Sequence, residues 1–268
     1  MENMLKVPDA EIFYRTRGSG PVLLLLPGGD GDADACGGLA IHLEDAFTIV
    51  TFDRRGLSRS TSTGAAPDLT VHADDAARVL AAVTHQPALV FGASIGALIA
   101  LELTTRHPDQ VRLAIAHEPP VGTLLPADTR AELVSDQLAV EKAHRRDGAL
   151  AAMAQFIRLA RLDFSDREPD VHLTPPGPER LSNLEFFLTH DAPAVRRYHP
   201  DITALRAHAT KIVPAVGATT TGPITHCAHA LADLLNMPVT TLPGGHNGFA
   251  SHPRALAAHL RTIFAAHR

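Results

Sequence analysis

One short stretch restricts the fold of this chain more than any other. Gly92-Ala93-Ser94-Ile95-Gly96 fits the pattern G-x-S-x-G and lies between two apolar segments. Before it, Ala88–Phe91 is short and continuously apolar, as a strand covered on both faces must be. After it, Ile95–Thr105 is apolar at helical length, with Pro108 just beyond. The serine is thereby set on a sharp strand-to-helix turn. Backbone crowding there admits no large side chain, which explains a glycine two residues away on either side. The helix that follows directs its first N–H groups toward the reacting oxygen. Ser94 is therefore the candidate nucleophile, and the chain needs a sheet with helices packed on it.

Other segments supply that sheet. Leu5–Val7 and Ile12–Thr16 read as short strands joined at Pro8-Asp9. Val22–Leu26, closed by Pro27-Gly28-Gly29, and Phe47–Phe52, ending at Asp53-Arg54-Arg55-Gly56, read as buried strands. Leu69–Val83 has helical spacing, and Val111–Ala116 is a strand stopped by His117-Glu118-Pro119-Pro120. From about 121 to 208 the pattern predicts helices, clearest at Asp128–Arg146, Ala149–Leu162 and Pro178–His190, with a cluster at Pro175-Pro176-Gly177-Pro178. Alternation returns at Lys211–Val216, Ile224–Leu235, Val239–Leu242 and Arg254–Ala266. Strands alternating with helices predict an α/β fold, a parallel sheet with helices on both faces. The interruption predicts a helical cap, residues 121–208, inserted into a core of residues 1–120 and 209–268.

Composition narrows the function classes. Of 268 residues, 45% are hydrophobic and 20% charged, a globular balance. The formal net charge is −5 and no basic run exceeds two residues, which argues against a nucleic-acid partner. Val22–Leu26 is far too short to span a bilayer, so no membrane partner is expected. Met1-Glu2-Asn3-Met4 lacks a basic region followed by an apolar stretch, and Cys36 and Cys227 make no disulfide framework. A reduced cytoplasmic setting is the expectation. The oligomeric state stays open, a homodimer being one form.

Pro27-Gly28-Gly29, the run Phe52-Asp53-Arg54-Arg55-Gly56-Leu57-Ser58-Arg59-Ser60, the turn at Ser94, and Pro243-Gly244-Gly245-His246 stand in the order of α/β-hydrolase landmarks. The chain resembles that superfamily over nearly its whole length outside the insertion. The resemblance implies a mostly parallel, eight-stranded sheet, with Asp53 and Arg54 in a structural turn. It also places the general base at His246, in the Gly-rich loop after the last strand; His252, in Ser251-His252-Pro253, suits a structural role. A serine base needs a third group to orient it. The loop commonly supplying that acid reads Gly217-Ala218-Thr219-Thr220-Thr221-Gly222 and holds no carboxylate. Glu118 ends a strand expected beside that of Ser94, at the sheet edge where active groups gather, and Pro119-Pro120 forces an extended exit. Glu118 is the expected acid, with Asp201 and Asp233 in reserve. With this acid, the chain resembles zearalenone-type lactonases and related bacterial ester hydrolases. It departs from the lactonases in having no tryptophan.

A tetrahedral intermediate needs preorganised N–H donors. One is the N–H of Ile95, the residue after the nucleophile; by resemblance the other is that of Gly29 or Asp30. Asp30, Asp32 and Asp34 lack the glutamate that completes a calcium loop, and His226, Cys227 and His229 have no second ligand pair for zinc. Neither a metal nor a cofactor is expected. Met153, Phe156, Phe186 and Phe187 of the insertion are candidates for an apolar pocket. The expected activity is hydrolysis of a small apolar carboxylic ester or lactone through an acyl-serine, with a Ser94–His246–Glu118 triad. The same triad could act on a carbon–carbon or thioester bond or in perhydrolysis, and a non-catalytic binding protein on this fold is the rival from another class. Dehalogenation and epoxide opening generally use an aspartate nucleophile on this fold, so a serine at position 94 argues against both.

Overall fold

The computed structural model describes residues 1–172 and 177–267; Pro175 and Pro176 of the Pro-Gly cluster lie outside the described residues. In chain order the elements are β1 (Glu2–Val7), β2 (Ala10–Gly18), β3 (Val22–Leu26), α1 (Gly37–Ala40), β4 (Thr48–Phe52), α2 (Leu69–Val83), β5 (Ala88–Ala93), α3 (Ile95–Arg106), β6 (Val111–His117), α4 (Ala127–Asp147), α5 (Ala149–Leu159), α6 (Pro178–Phe186), α7 (Ala192–Arg197), α8 (Ile202–Ala207), β7 (Ile212–Gly217), α9 (Ile224–Leu235), β8 (Thr240–Leu242), α10 (Gly248–Ser251) and α11 (Pro253–Ala265). The eight strands form one sheet in the order β1-β2-β4-β3-β5-β6-β7-β8. β2 pairs antiparallel with β1 and β4, and the remaining pairings are parallel.

The apolar runs are two-faced, as their lack of alternation requires. In β3, Leu24 and Leu26 join a core with Val50, Val90 and the inner faces of α2 and α3. Leu23 and Leu25 join a second core on the opposite face, with Phe91, Ile115, Leu256 and Leu260. Helix α2 begins where Asp68 accepts a bond from the Val71 N–H at 3.0 Å, an N-cap worth about 1 kcal/mol. Helix α9 ends at Asn236, which takes the left-handed conformation that closes helices.

Between β6 and β7 the described residues contain helices and no strand. Leu184 and Leu188 pack with Val140, Ala149 and Ala152 in a separate small core. The helix expected over Pro178–His190 runs further, through α6, a π turn at Phe187–Asp191 and α7. Pro193 explains the turn. Proline offers no N–H and its ring collides with the carbonyl four residues earlier, and the wider π turn accommodates that conflict while the helix continues.

The turn after β4 is an anchor. Asp53 is fully buried. Its carboxylate accepts the Ala33 N–H at 2.8 Å and the Arg59 guanidinium at 2.7 and 2.9 Å, while its carbonyl accepts the Ser60 hydroxyl at 2.7 Å. Asp53→Ala strands the buried Ala33 N–H, although Arg59 keeps partial access to water. We expect a loss of about 2 kcal/mol, read as a lowered urea midpoint at unchanged slope; a midpoint within error of wild type would refute the anchor role.

Candidate active site

Strand β5 runs into α3 at Ser94, which takes φ 54° and ψ −123°. A β-carbon on Gly92 would collide with the Gly96 carbonyl, and one on Gly96 with the Leu26 carbonyl. The glycines thus let α3 approach β3 and β5 closely enough to hold Ser94 in its unfavourable conformation. The Ser94 N–H donates to the His117 carbonyl at 3.0 Å, tying the turn to the end of β6. Ile95 opens α3, so its N–H has no acceptor within the helix. Gly28 abuts the serine: a β-carbon there would lie 3.0 Å from Ser94 Cβ and 3.7 Å from its Oγ.

Parallel pairing aligns Ala93 with His117 and His117 with Ala215, so three strand ends lie side by side. Glu118 follows β6 with φ 47° and is fully buried. Its N–H donates to the Ala215 carbonyl at 2.9 Å, its Oε1 accepts the Gly217 N–H at 2.8 Å, and its Oε2 lies 2.7 Å from His246 Nδ1. A carboxylate can only accept, so Nδ1 carries a proton, and in the neutral ring the lone pair is then on Nε2. Burial acts to raise the Glu118 pKa, but the hydrogen bonds from His246 and the Gly217 N–H hold it down to about 2. Among the described residues the Ser94 hydroxyl forms no hydrogen bond, so Ser94 and His246 are not directly joined.

His117 is one histidine among 16, and no local pattern in the sequence singles it out. Its ring is stacked between Phe91 and His246, with centroids 6.2 and 6.4 Å away. Its Nε2 faces the Gly245 carbonyl at 3.3 Å, while Nδ1 is buried with no partner among the described residues. Burial lowers its pKa, so the ring is neutral and carries its proton on Nε2. His117 thereby supports the loop that presents His246.

The loop after β3 turns with the Gly31 N–H on the Gly28 carbonyl at 2.9 Å, and Gly29 takes φ 43°. The Gly29 carbonyl accepts a bond from Arg54, and the Asp30 carbonyl accepts one from the Asn183 side chain at 3.3 Å. The loop's acidic side chains are already engaged. Asp30 pairs with Arg180 at 2.6 Å, Asp32 accepts the Ser58 hydroxyl at 2.7 Å, and Asp34 pairs with Arg15 and Arg59. Among the described residues no three His, Cys, Asp or Glu side chains gather as a metal site would require.

A cavity beside His246 is lined by Arg161, Leu162, Phe164, Thr219, Thr220 and Asn247, among others. None of the four expected pocket residues borders it. Met153, Phe156 and Phe187 pack on the small core of the insertion. The Phe186 ring covers Gly56 and lies 4.7 Å from that of His190. The cavity residues come from irregular segments, where no periodicity signals which side chain turns inward.

The alpha/beta hydrolase fold family matches residues 21–153. The chain is 36% identical to the uncharacterized hydrolase YraK of Bacillus subtilis (strain 168), over 97% of this chain and 94% of YraK. It is 28% identical to a zearalenone hydrolase of Cladophialophora bantiana, over 92% of this chain and 90% of that protein. Among solved structures, a thermophilic esterase from Thermogutta terrifontis superposes over 100% of this chain and 99% of its own, with a TM-score of 0.77 at 18% identity. The chain belongs to the α/β-hydrolase family and is a hydrolase of that fold. No described helix is long and apolar enough to cross a membrane.

The Glu118 carboxyl makes acid stability a test of this geometry. Its folded pKa lies below the ordinary 4.5, so its stabilising contribution is complete above that value and is lost as pH falls through about 2. The urea-midpoint difference between wild type and Glu118→Gln should be largest near neutrality, shrink below pH 4.5 and close near pH 2. A difference independent of pH over that window would contradict the buried, ionised carboxylate.

Proposed function

We propose that this hydrolase cleaves a carboxylic ester or lactone through an acyl-serine at Ser94, with His246 as general base and Glu118 as the acid that orients it. The observation that carries the proposal is the 2.7 Å bond from His246 Nδ1 to buried Glu118, beside the strained turn that bears Ser94. Ser94 Oγ attacks the carbonyl carbon while His246 Nε2 takes its proton. The carbonyl oxygen becomes an oxyanion facing the N–H of Ile95 and one from the Gly29–Asp30 loop. When the bond to the alkoxy oxygen breaks, His246 returns the proton to that oxygen. Water then attacks the acyl-serine, again losing its proton to His246, and collapse releases the acid and restores the Ser94 hydroxyl. Glu118 stays ionised and stabilises the imidazolium formed in each step. An unliganded enzyme commonly holds nucleophile and base beyond hydrogen-bond reach, and substrate closes the gap.

The insertion, residues 121–208, acts in this proposal as the cap that sets substrate choice. Leu162 and Phe164 offer apolar surface beside His246, which suits an apolar acyl or alkoxy group. The likeness to a zearalenone hydrolase supports a lactone among the substrates.

Ser94→Ala should abolish turnover of short-chain aryl esters, by at least about 10⁴-fold, with an unchanged thermal melt. A fluorophosphonate should add one mass equivalent to the wild type at Ser94 and none to the variant. Near-normal turnover by the variant would place the nucleophile elsewhere. Glu118→Gln keeps the size and removes the charge, so kcat should fall by about 10³-fold or more; a variant within threefold of wild type would leave a serine–histidine dyad.

A further inference from the structure

Arg54, at the turn after β4, and Asp191, in the π turn of the insertion, are each almost wholly buried and lie 3.1 Å apart. The other carboxylate oxygen of Asp191 lies 3.1 Å from Nε2 of His72, on α2, which is equally buried. The pair is thus a buried charge pair with a third polar partner, costly unless each group is engaged. What Arg54 does with its remaining donors is the telling feature. It binds the Gly29 carbonyl, and Gly31's at 3.4 Å, on the loop that abuts Ser94.

A trans peptide points its carbonyl and its N–H in opposite directions. With the Gly29 carbonyl held by Arg54, the Asp30 N–H of the same peptide faces the other way, and among the described residues no backbone acceptor takes it. The Asp30 carbonyl is held independently, by Asn183 of α6. Three residues between β6 and β7 thus hold this loop: Asn183 on its backbone, Arg180 on the Asp30 side chain, and Asp191 through Arg54.

We propose that Arg54 is a positioning residue, locked by Asp191 of the cap, which orients the Gly29–Asp30 peptide so that the Asp30 N–H is the second oxyanion donor. The inference rests on the acyl-serine chemistry proposed above. The seating of the cap then governs stabilisation of the transition state as well as substrate access. Removing Arg54 frees the peptide to rotate, while the ground-state ester, which leans little on that donor, binds much as before.

The test compares wild type, Arg54→Met, Arg54→Lys and Asp191→Asn. It measures kcat and KM on an aryl acetate, and inhibition by a trifluoromethyl ketone, whose adduct with Ser94 carries an oxyanion. Arg54→Met should lower kcat by about 10²-fold, the worth of one oxyanion donor, and weaken the ketone by a similar factor. KM should move by less than about threefold. Asp191→Asn should show the same pattern more weakly, and Arg54→Lys should recover part of the loss. A folded Arg54→Met enzyme with unchanged kcat and ketone inhibition, or with a loss in KM alone, would overturn the inference. If Arg54→Met does not fold, Asp191→Asn decides by the same criteria. A wild type that neither binds the ketone nor reacts with a fluorophosphonate would instead overturn the acyl-serine reading, and this inference with it.

Discussion

Glu118 joins three elements of the sheet through one residue. Its backbone N–H fixes it to β7, one carboxylate oxygen takes the Gly217 N–H at the end of that strand, and the other takes the His246 ring from the loop after β8. The charge is removed from water, so only these bonds stabilise it. Losing either side-chain bond would leave an ionised group poorly satisfied in the interior. Its backbone takes the left-handed conformation, φ 47°, in making these bonds. His117, next in the chain, anchors the Ser94 turn through its carbonyl and supports the Gly245–His246 loop through its ring. The two residues together hold the Ser94 turn and the His246 loop against a single strand end.

Other buried charges follow the same logic and tie the molecule together. Arg55 meets Asp75 of α2 at 2.7 and 2.8 Å, and Asp53 meets Arg59. Arg54 reaches across to Asp191 of the insertion. The DRRG turn thus sends three consecutive charged side chains toward three different partners. The segment between β6 and β7 docks partly through apolar side chains, since Ala194, Val195 and Tyr198 join the core formed with α2 and α3. Beside the turn after β4 the same segment adds polar contacts, Asn183 to Ser58 and Asp191 to Arg54, which demand a defined geometry.

Much of the architecture was legible because its signals are local. Helices α2 and α9 fall on the expected residues, where a capping Asp68 and a terminal Asn236 bound the apolar spacing. Strand β3 also matches, because five apolar residues between proline and proline leave little freedom. Strand β5 extends two residues beyond the expected Phe91, since Gly92 and Ala93 read as turn but complete the ladder with β6. The helix expected to stop at His190 continues through Pro193, because a π turn absorbs a conflict that ordinarily ends a helix.

The sequence by itself determined the class of fold and the turn bearing Ser94, and it pointed to the loop bearing His246 and, with no other carboxylate at an expected strand end, to Glu118 as the candidate acid. Each depends on residue types at short spacing: glycines that permit a close approach, a proline pair that directs an exit, a threonine loop with no acid. Tertiary structure alone decided the rest. His117 lies between Phe91 and His246, Arg54 grips the Gly29 carbonyl, and Arg161, Leu162 and Phe164 border the cavity beside His246, where Phe156 and Phe187 instead fill the insertion's own core. These contacts join residues far apart in the chain, and several come from loops without periodicity. Which side chains meet there is set by how the sheet edge and the insertion pack together, and no local pattern carries that information.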